Sequence, residues 1–302
     1  MRDKMKILIG FDGSRCAEAA LNDLQRAGLP NATEAVVLSV ADVWLPSPAS
    51  EIAALGQAIP PSDMQPREGA IGSEKEAHHL AERAAALLRK QFPGWKVGAV
   101  ACHDSPWRGI LQQADQLKSD MIVLGSHGRS ALGRMVLGGV SQRVATEASC
   151  SVRLARGQFA VDVAPPRLVV AVDGTEHSNS TVEWVANRGW PPGAAAHILA
   201  LLEGDPQPGP QTREDARLRR FAEGAAEKLR AAGLLAAAIV KHGDPRHEIL
   251  HEAERWGADC VFVGAHGHTR LEKILGSVSQ WVTSRAPCSV EVVRANPDGP
   301  RN

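Results

Sequence analysis

Three short blocks occur twice in this chain of 302 residues, in the same order. Ile7 to Ser14 reads ILIGFDGS and Leu168 to Thr175 reads LVVAVDGT, with Asp12 and Asp173 separated by an offset of 161. Asp120 to Gly128, DMIVLGSHG, returns as Asp259 to Gly267, DCVFVGAHG, at an offset of 139. Gly138 to Ser141 (GGVS), followed by Cys150, Ser151 and Val152, returns as Gly276 to Ser279 (GSVS), followed by Cys288, Ser289 and Val290. A duplication on this scale means that both halves share one fold, and at roughly 100–200 residues per domain each half can build its own core. The offset falls from 161 to 139, so the first copy holds 22 extra residues. They belong to a stretch at about 44–72 where Pro46, Pro48, Pro60, Pro61 and Pro66 predict a long loop, with at most a short helix near Glu51 to Gln57. The expected domains are 1–157, including that inserted loop, and 166–295, separated near Pro165 and Pro166, with a disordered tail at 296–302.

Within each copy, short β-branched runs alternate with amphipathic stretches, the pattern of βαβ units and a parallel sheet. Strands are predicted near 5–11, 35–41, 96–101, 121–125 and 151–155, and again near 167–172, 196–202, 236–241, 260–264 and 289–293. Helices are predicted near 15–27, 73–91, 106–117 and 139–147. Met121 to Leu124 and Val261 to Val263 are continuous apolar runs, as strands covered on both faces require.

Composition narrows the function classes. Lys plus Arg and Asp plus Glu both number 34, so no net charge draws nucleic acid or anionic lipid to the chain, and a bound phosphate must be held locally. Aromatics are 4% with no Tyr, which disfavours base stacking on interleaved rings. The sequence has no apolar run near the ~18 residues of a membrane span and no signal-like N-terminus, so a cytoplasmic protein is expected. The cysteines, Cys16, Cys102, Cys150, Cys260 and Cys288, form no C-x-x-C pair and are expected as small buried hydrophobes.

The glycines fall where a parallel sheet builds its ligand crevice, between the end of a strand and the next helix. Gly125 and Gly128 follow the fourth strand, and Gly138 and Gly139 precede the helix beginning near Val140 and Ser141. Glycine allows close backbone approach, and free N–H groups at a helix start attract anions. No Gly-Lys pair occurs, so no Walker A loop exists, and Gly10 to Ser14 is not a G-x-G-x-x-G fingerprint.

The strand ending at Asp12, the run GSHGRSALGRMVLGGVS from Gly125 to Ser141 and the CSV strand at Cys150 resemble the universal stress protein family, and two such units resemble its tandem form. The resemblance implies two repeated open five-stranded parallel sheets of order 3-2-1-4-5 with helices on both faces, a fold of the adenine-nucleotide alpha-hydrolase-like kind. It implies a stress-response role and ATP as ligand, with or without Mg2+. In the first copy, Asp12 and the backbone at Val40 would contact adenine and ribose, Gly125, His127, Gly128 and Arg129 would wrap ribose and phosphates, and Gly138, Gly139, Val140 and Ser141 would hold the phosphate chain. The matching positions in the second copy are Asp173, Leu201, Gly264, His266, Gly267, Gly276, Ser277, Val278 and Ser279. The resemblance also implies an intramolecular pseudo-dimer through the fifth strands, Ser151 to Leu154 and Ser289 to Val292, or a homodimer through the same strands.

Both copies depart from the family's pattern of G-x-x-G, nine residues, then G-Ser/Thr. The first keeps the spacing from Gly128 to Gly138 but has Gly139 in place of the hydroxyl residue; the second has Ser277 but only eight residues between Gly267 and Gly276. The first copy is therefore expected to bind ATP and the second to bind it more weakly. Catalysis is expected to be slow ATP hydrolysis at most, and the rival reading is a nucleotide-free scaffold. His247 and His251 spell H-E-x-x-H, but they lie away from the stripe formed by Ile249, Ala253 and Trp256, so they are expected on a solvated helix face and no metal site is assigned. His103-Asp104-Ser105-Pro106 and His242-Gly243-Asp244-Pro245 are expected to be helix starts with an Asp or Ser cap and Pro in the first turn.

Overall fold

The computed structural model of the chain describes residues 4–42, 73–127, 137–157, 164–202, 204, 212–265 and 275–294. The proline-rich insertion at 44–72 and the tail at 296–302 lie outside the described residues, as do Gly128, Arg129, His266 and Gly267.

The first half runs β1 (Met5–Gly10), α1 (Arg15–Asp23), β2 (Thr33–Asp42), α2 (Glu74–Gln91), β3 (Lys96–Asp104), α3 (Pro106–Leu117), β4 (Met121–Gly125), α4 (Gly139–Glu147) and β5 (Ser151–Ala155). The second half repeats it as β6 (Arg167–Val172), α5 (Glu176–Ala186), β7 (Ala195–Leu202), α6 (Arg213–Ala231), β8 (Leu235–His242), α7 (Pro245–Trp256), β9 (Cys260–Gly264), α8 (Ser277–Arg285) and β10 (Ser289–Val293). Two predicted bounds shift by three residues or more. The first helix ends at Asp23 and tightens into a 3-10 turn over Leu24–Arg26, and β3 runs on to Asp104 because β2 stays paired with it as far as Asp42.

Both halves have the strand order 3-2-1-4-5, but they form one ten-stranded sheet: β3-β2-β1-β4-β5-β10-β9-β6-β7-β8. All neighbours are parallel except β5 and β10, which meet antiparallel with Arg153 opposite Glu291. This is the expected pseudo-dimer. The homodimer through the fifth strands is corrected: β5 already lies between β4 and β10, and β10 between β5 and β9, so neither has a free edge for a second chain.

Alternating side chains divide the core into layers. Ile7 and Ile9 pack with α1 and α2 on one face, while Leu8 packs with Ile110 of α3 and Val144 of α4 on the other. The second half does the same, with Leu168 and Val170 under α5 and α6 and Val169 against Ile249 of α7 and Val282 of α8.

Where the halves meet, the core is charged. Arg153 of β5 donates to Asp23 of α1 through Nε at 2.5 Å and Nη2 at 3.1 Å, and to Glu291 Oε2 of β10 through Nη1 at 3.0 Å. Glu291 also accepts from Arg188 and from the Trp184 indole, while Arg188 donates to Ala27 O at 2.8 Å and the Ser289 hydroxyl to Asp23 at 3.0 Å. Burial pushes the Glu291 carboxyl up, but Arg188, Arg153 and the Trp184 hydrogen bond together hold it below the usual carboxylate range. Buried charges persist only when paired and hydrogen-bonded in this way.

The cysteine expectation holds for Cys260 and Cys288; Cys16, Cys102 and Cys150 are only partly buried, and all five are free thiols. Burial pushes Cys150 and Cys288 up to about 12, so both stay protonated at neutral pH.

Candidate functional site

The crevice of each half is assembled from three chain segments at the C-terminal ends of the central strands. The first is a tight turn. Gly13 and Gly174 share a φ of +75°, a conformation that favours glycine, and the preceding aspartate accepts the backbone N–H two residues on: Ser14 to Asp12 at 2.9 Å, Thr175 to Asp173 at 3.0 Å. Ser14 and Thr175 then cap α1 and α5, accepting from Ala17 N at 3.1 Å and Ser178 N at 3.3 Å.

The second segment leaves β4 or β9. Gly125 sits so close to the start of α1 that an added Cβ would lie 2.7 Å from the Cys16 carbonyl, so no larger residue fits without moving backbone. Ser126 N donates to Ala155 O and Gly138 N to Ser126 O, both at 2.9 Å, and Ala265 to Val293 and Gly276 to Ala265 repeat both bonds at 2.9 Å. The Ser126 hydroxyl and His127 Nδ1 are 2.9 Å apart. These bonds bring the two ends of each glycine loop together.

The third segment is the start of α4 or α8. Ser141 is buried and its hydroxyl donates to Gly125 O at 2.8 Å; Ser279 does the same to Gly264 O at 2.6 Å. The serine hydroxyls thus brace the loop to the end of the preceding strand. Gly138 and Gly276 are the N-caps of α4 and α8, and neither helix has a side-chain cap hydrogen bond. By contrast α1, α2, α5, α6 and α7 are capped by Ser14, Ser73, Thr175, Thr212 and Asp244. A Cβ added at Gly139 meets nothing within 4 Å among the described residues.

The end of the second strand distinguishes the halves. Val40 is buried and opposes Cys102 on β3, and α3 comes close there because it carries Gly109, whose added Cβ would lie 3.2 Å from Val40 Cγ2. In the second half, Leu201 opposes Lys241, whose Nζ reaches Glu252 at 2.9 Å and Glu248 at 3.5 Å. The fully buried Glu252 carboxylate also takes His197 Nδ1 at 2.9 Å and Arg255 Nη2 at 2.8 Å, and His197 stacks on Trp256 at 3.5 Å. Burial pushes the Glu252 carboxyl up, but hydrogen bonds from Lys241, Arg255 and His197 outweigh it and hold it at about 2.

The structure therefore brings together Asp12, Val40, Gly125, His127, Gly138, Gly139, Val140 and Ser141 at one end of the first half, and Asp173, Leu201, Gly264, Gly276, Ser277, Val278 and Ser279 at the equivalent end of the second. His247 and His251 are exposed on α7, with the His247 ring 5.7 Å from Trp281. One expected cap is corrected: the Ser105 side chain makes no cap bond to α3; Arg108 N and Gly109 N both donate to the Ser105 carbonyl at 3.0 Å, and Pro106 begins the helix. Asp244 does cap α7, accepting from Arg246 N at 2.9 Å.

Sequence reasoning missed an exchange between the copies. Trp107 of α3 lies under Arg143 of α4 at 4.0 Å, and at the equivalent positions Arg246 of α7 lies 5.8 Å from Trp281 of α8. The same helix pair is bridged by the same chemistry with the partners swapped, a signal legible by aligning the two copies and reading positions in pairs.

Comparison with known proteins agrees with this architecture. The universal stress protein family matches residues 5–156 and again 166–294. The universal stress protein Rv2005c of Mycobacterium tuberculosis is 26% identical over 97% of this chain and 98% of its own length. YxiE of Bacillus subtilis is 40% identical over 25% of this chain, a segment spanning about half of that protein (51%). The crystal structure of a universal stress protein from Archaeoglobus fulgidus is similar with a TM-score of 0.66, at 21% identity over 96% of this chain and 98% of that one. With two family matches that together span most of its length, the chain belongs to the universal stress protein family.

Proposed function

We propose that this protein binds ATP in the crevice of the first half, more weakly in the second, and acts as a cytoplasmic stress-response regulator whose state depends on that ligand. The observation that carries the reading is the pair of glycine helix starts at the crevices: α4 and α8 have glycine N-caps and no side-chain cap, whereas five other helices are capped by side chains and α3, also without a side-chain cap, starts on Pro106, which has no N–H to offer. Free N–H groups at a helix start, with the positive end of the helix dipole, suit a phosphate chain without any lysine. Asp12 would accept from a ribose hydroxyl and the backbone at Val40 would meet the base. Gly128 and Arg129, and His266 and Gly267 in the second half, complete the proposed site.

Mg2+ would enter with the phosphates it neutralises. The chain would hold and orient the nucleotide through backbone N–H groups; His127, already paired with Ser126, is the group at hand for proton transfer, which fits retention or slow hydrolysis better than rapid turnover.

Calorimetry with ATP tests the reading. Gly138→Glu should abolish the tighter binding event and Gly276→Glu the weaker one, because each sets a carboxylate where a phosphate would lie. Unchanged stoichiometry in both variants would refute it. Mass spectrometry of ligand released from the purified protein should find an adenine nucleotide.

A further inference from the structure

Two arginines outside the crevices link each one to the opposite half. Arg156, just past β5, donates from Nη1 to Ala286 O at 2.5 Å and from Nη2 to Thr283 O at 2.9 Å and Ser284 O at 3.4 Å, closing the C-terminal end of α8. Arg294, at the equivalent place past β10, donates from Nη2 to Ala145 O at 2.8 Å and Thr146 O at 3.0 Å, and from Nη1 to Cys150 O at 3.5 Å, closing α4. Their backbone N–H groups are crossed too: Arg156 N donates to Ser289 Oγ and Arg294 N to Ser151 Oγ, both at 3.1 Å. Each half thus supplies the C-terminal cap of the helix whose start faces the other half's crevice.

These helices need such a cap. The last four carbonyls of a helix have no partner within it, and a left-handed residue beyond the end is the common remedy. Helices α3 and α7 use it, ending at Lys118 and Gly257 in the left-handed region. Helices α4 and α8 do not; their chains leave through Ala148 and Ala286 in extended conformation, and the guanidinium groups fill the role. Burial lowers the Arg294 pKa to about 10 and shifts Arg156 the same way, a desolvation cost that the negative end of a helix offsets.

Helix α4 is nine residues long, roughly 13 Å, so its two ends move as one rigid piece. Its start is fixed to β4 by Ser141 and Gly125, and its far end by Arg294. A shift at the far end re-aims the first-turn N–H groups. We propose that Arg294 and Arg156 are positioning residues acting across the seam, Arg294 for the first crevice and Arg156 for the second, so that neither crevice is complete without the opposite half. The nucleotide part of this inference rests on the ATP reading above; the mechanical part does not.

Hydrogen exchange on the full chain without ligand tests it first. Arg294→Met should speed exchange of the hydrogen-bonded α4 amides from Gln142, whose N–H bonds Gly138 O, to Glu147 about tenfold while leaving the α8 amides from Gln280 to Arg285 unchanged, and Arg156→Met should do the reverse. Equal acceleration of both helices in each variant, or none, overturns the proposal. Should a Met variant fail to fold, Arg294→Lys and Arg156→Lys keep the charge but lose the forked geometry and are read in the same way. ATP calorimetry follows: Arg294→Met should weaken binding about tenfold in a Gly276→Glu background, and Arg156→Met should leave it unchanged there. Wild-type protein that binds no ATP refutes the nucleotide reading, while the exchange pattern still decides the role of the arginines.

Discussion

The two halves share a backbone and differ in what their side chains do with it. Asp12 takes the Ser14 N–H, whereas Asp173 takes the Thr175 N–H, the Thr175 hydroxyl at 2.6 Å and the Ser178 hydroxyl. Ala17 stands where Ser178 does and has no hydroxyl to offer. Arg217 of α6 reaches over the second turn to Gly174 O at 3.2 Å. Below it, His197, Lys241, Glu252 and Arg255 form a charged network where the first half has Val36, Cys102, Gln113 and Gln116. The duplicated scaffold has kept its loop-closing hydrogen bonds in both copies, while the second has turned crevice polarity inward. A polar group already satisfied by its own chain gains less from a ligand than one left open.

Erasing the difference at the seam has the largest expected effect. Arg153 and Glu291 occupy equivalent, opposed positions with opposite charge, so Arg153→Glu would set a third carboxylate beside Asp23 and Glu291. It should cost at least about 3–5 kcal/mol, read by chemical denaturation.

Next comes Glu252→Gln, which gives the second half the residue type the first has at Gln113. It should destabilise by roughly 1–3 kcal/mol at neutral pH, since the negative charge and one of the two oxygens that Lys241, His197 and Arg255 share are replaced by a neutral NH2 donor. The wild-type carboxyl is held at about 2 against an ordinary 4.5, so its stabilisation is complete above pH 4.5 and is lost as the pH falls towards 2. The variant's stability curve should accordingly lack this share of the acid limb, which denaturation as a function of pH will show.

The smallest effect sharpens the comparison. Ser178→Ala copies Ala17, removing one of the three donors to Asp173 Oδ1 and the hydroxyl that accepts the Asp173 N–H; it should lower stability by about 1 kcal/mol. On the ATP reading it should also tighten binding at the second site, measurable by calorimetry in a Gly138→Glu background.

The strands and helices were legible because their signals are local. β4 and β9 are short, wholly apolar runs, and α7 shows its buried stripe at Ile249 and Ala253. The glycine loops were legible because they recur. Glu252, in contrast, reads as one more polar residue of an amphipathic helix; its partner His197 lies 55 residues earlier, and only the packing of α7 on β7 joins them. The seam left one trace, the opposite charges in SVRLA and SVEVV, but Asp23 and Arg188 carry no local mark of burial.

The sequence by itself determined the fold of each half, their number and the place of the glycine loops, since periodicity, turn chemistry and repetition act over a few residues or recur in register. Tertiary structure alone decided which charged groups meet where the two sheets join, that Arg156 and Arg294 cap each other's helices, and that the second crevice satisfies its own polar groups. Those outcomes depend on groups more than a hundred residues apart, or on which oxygen a hydroxyl faces, and such preferences are fixed only when packing removes water and leaves each buried polar group to find its partner.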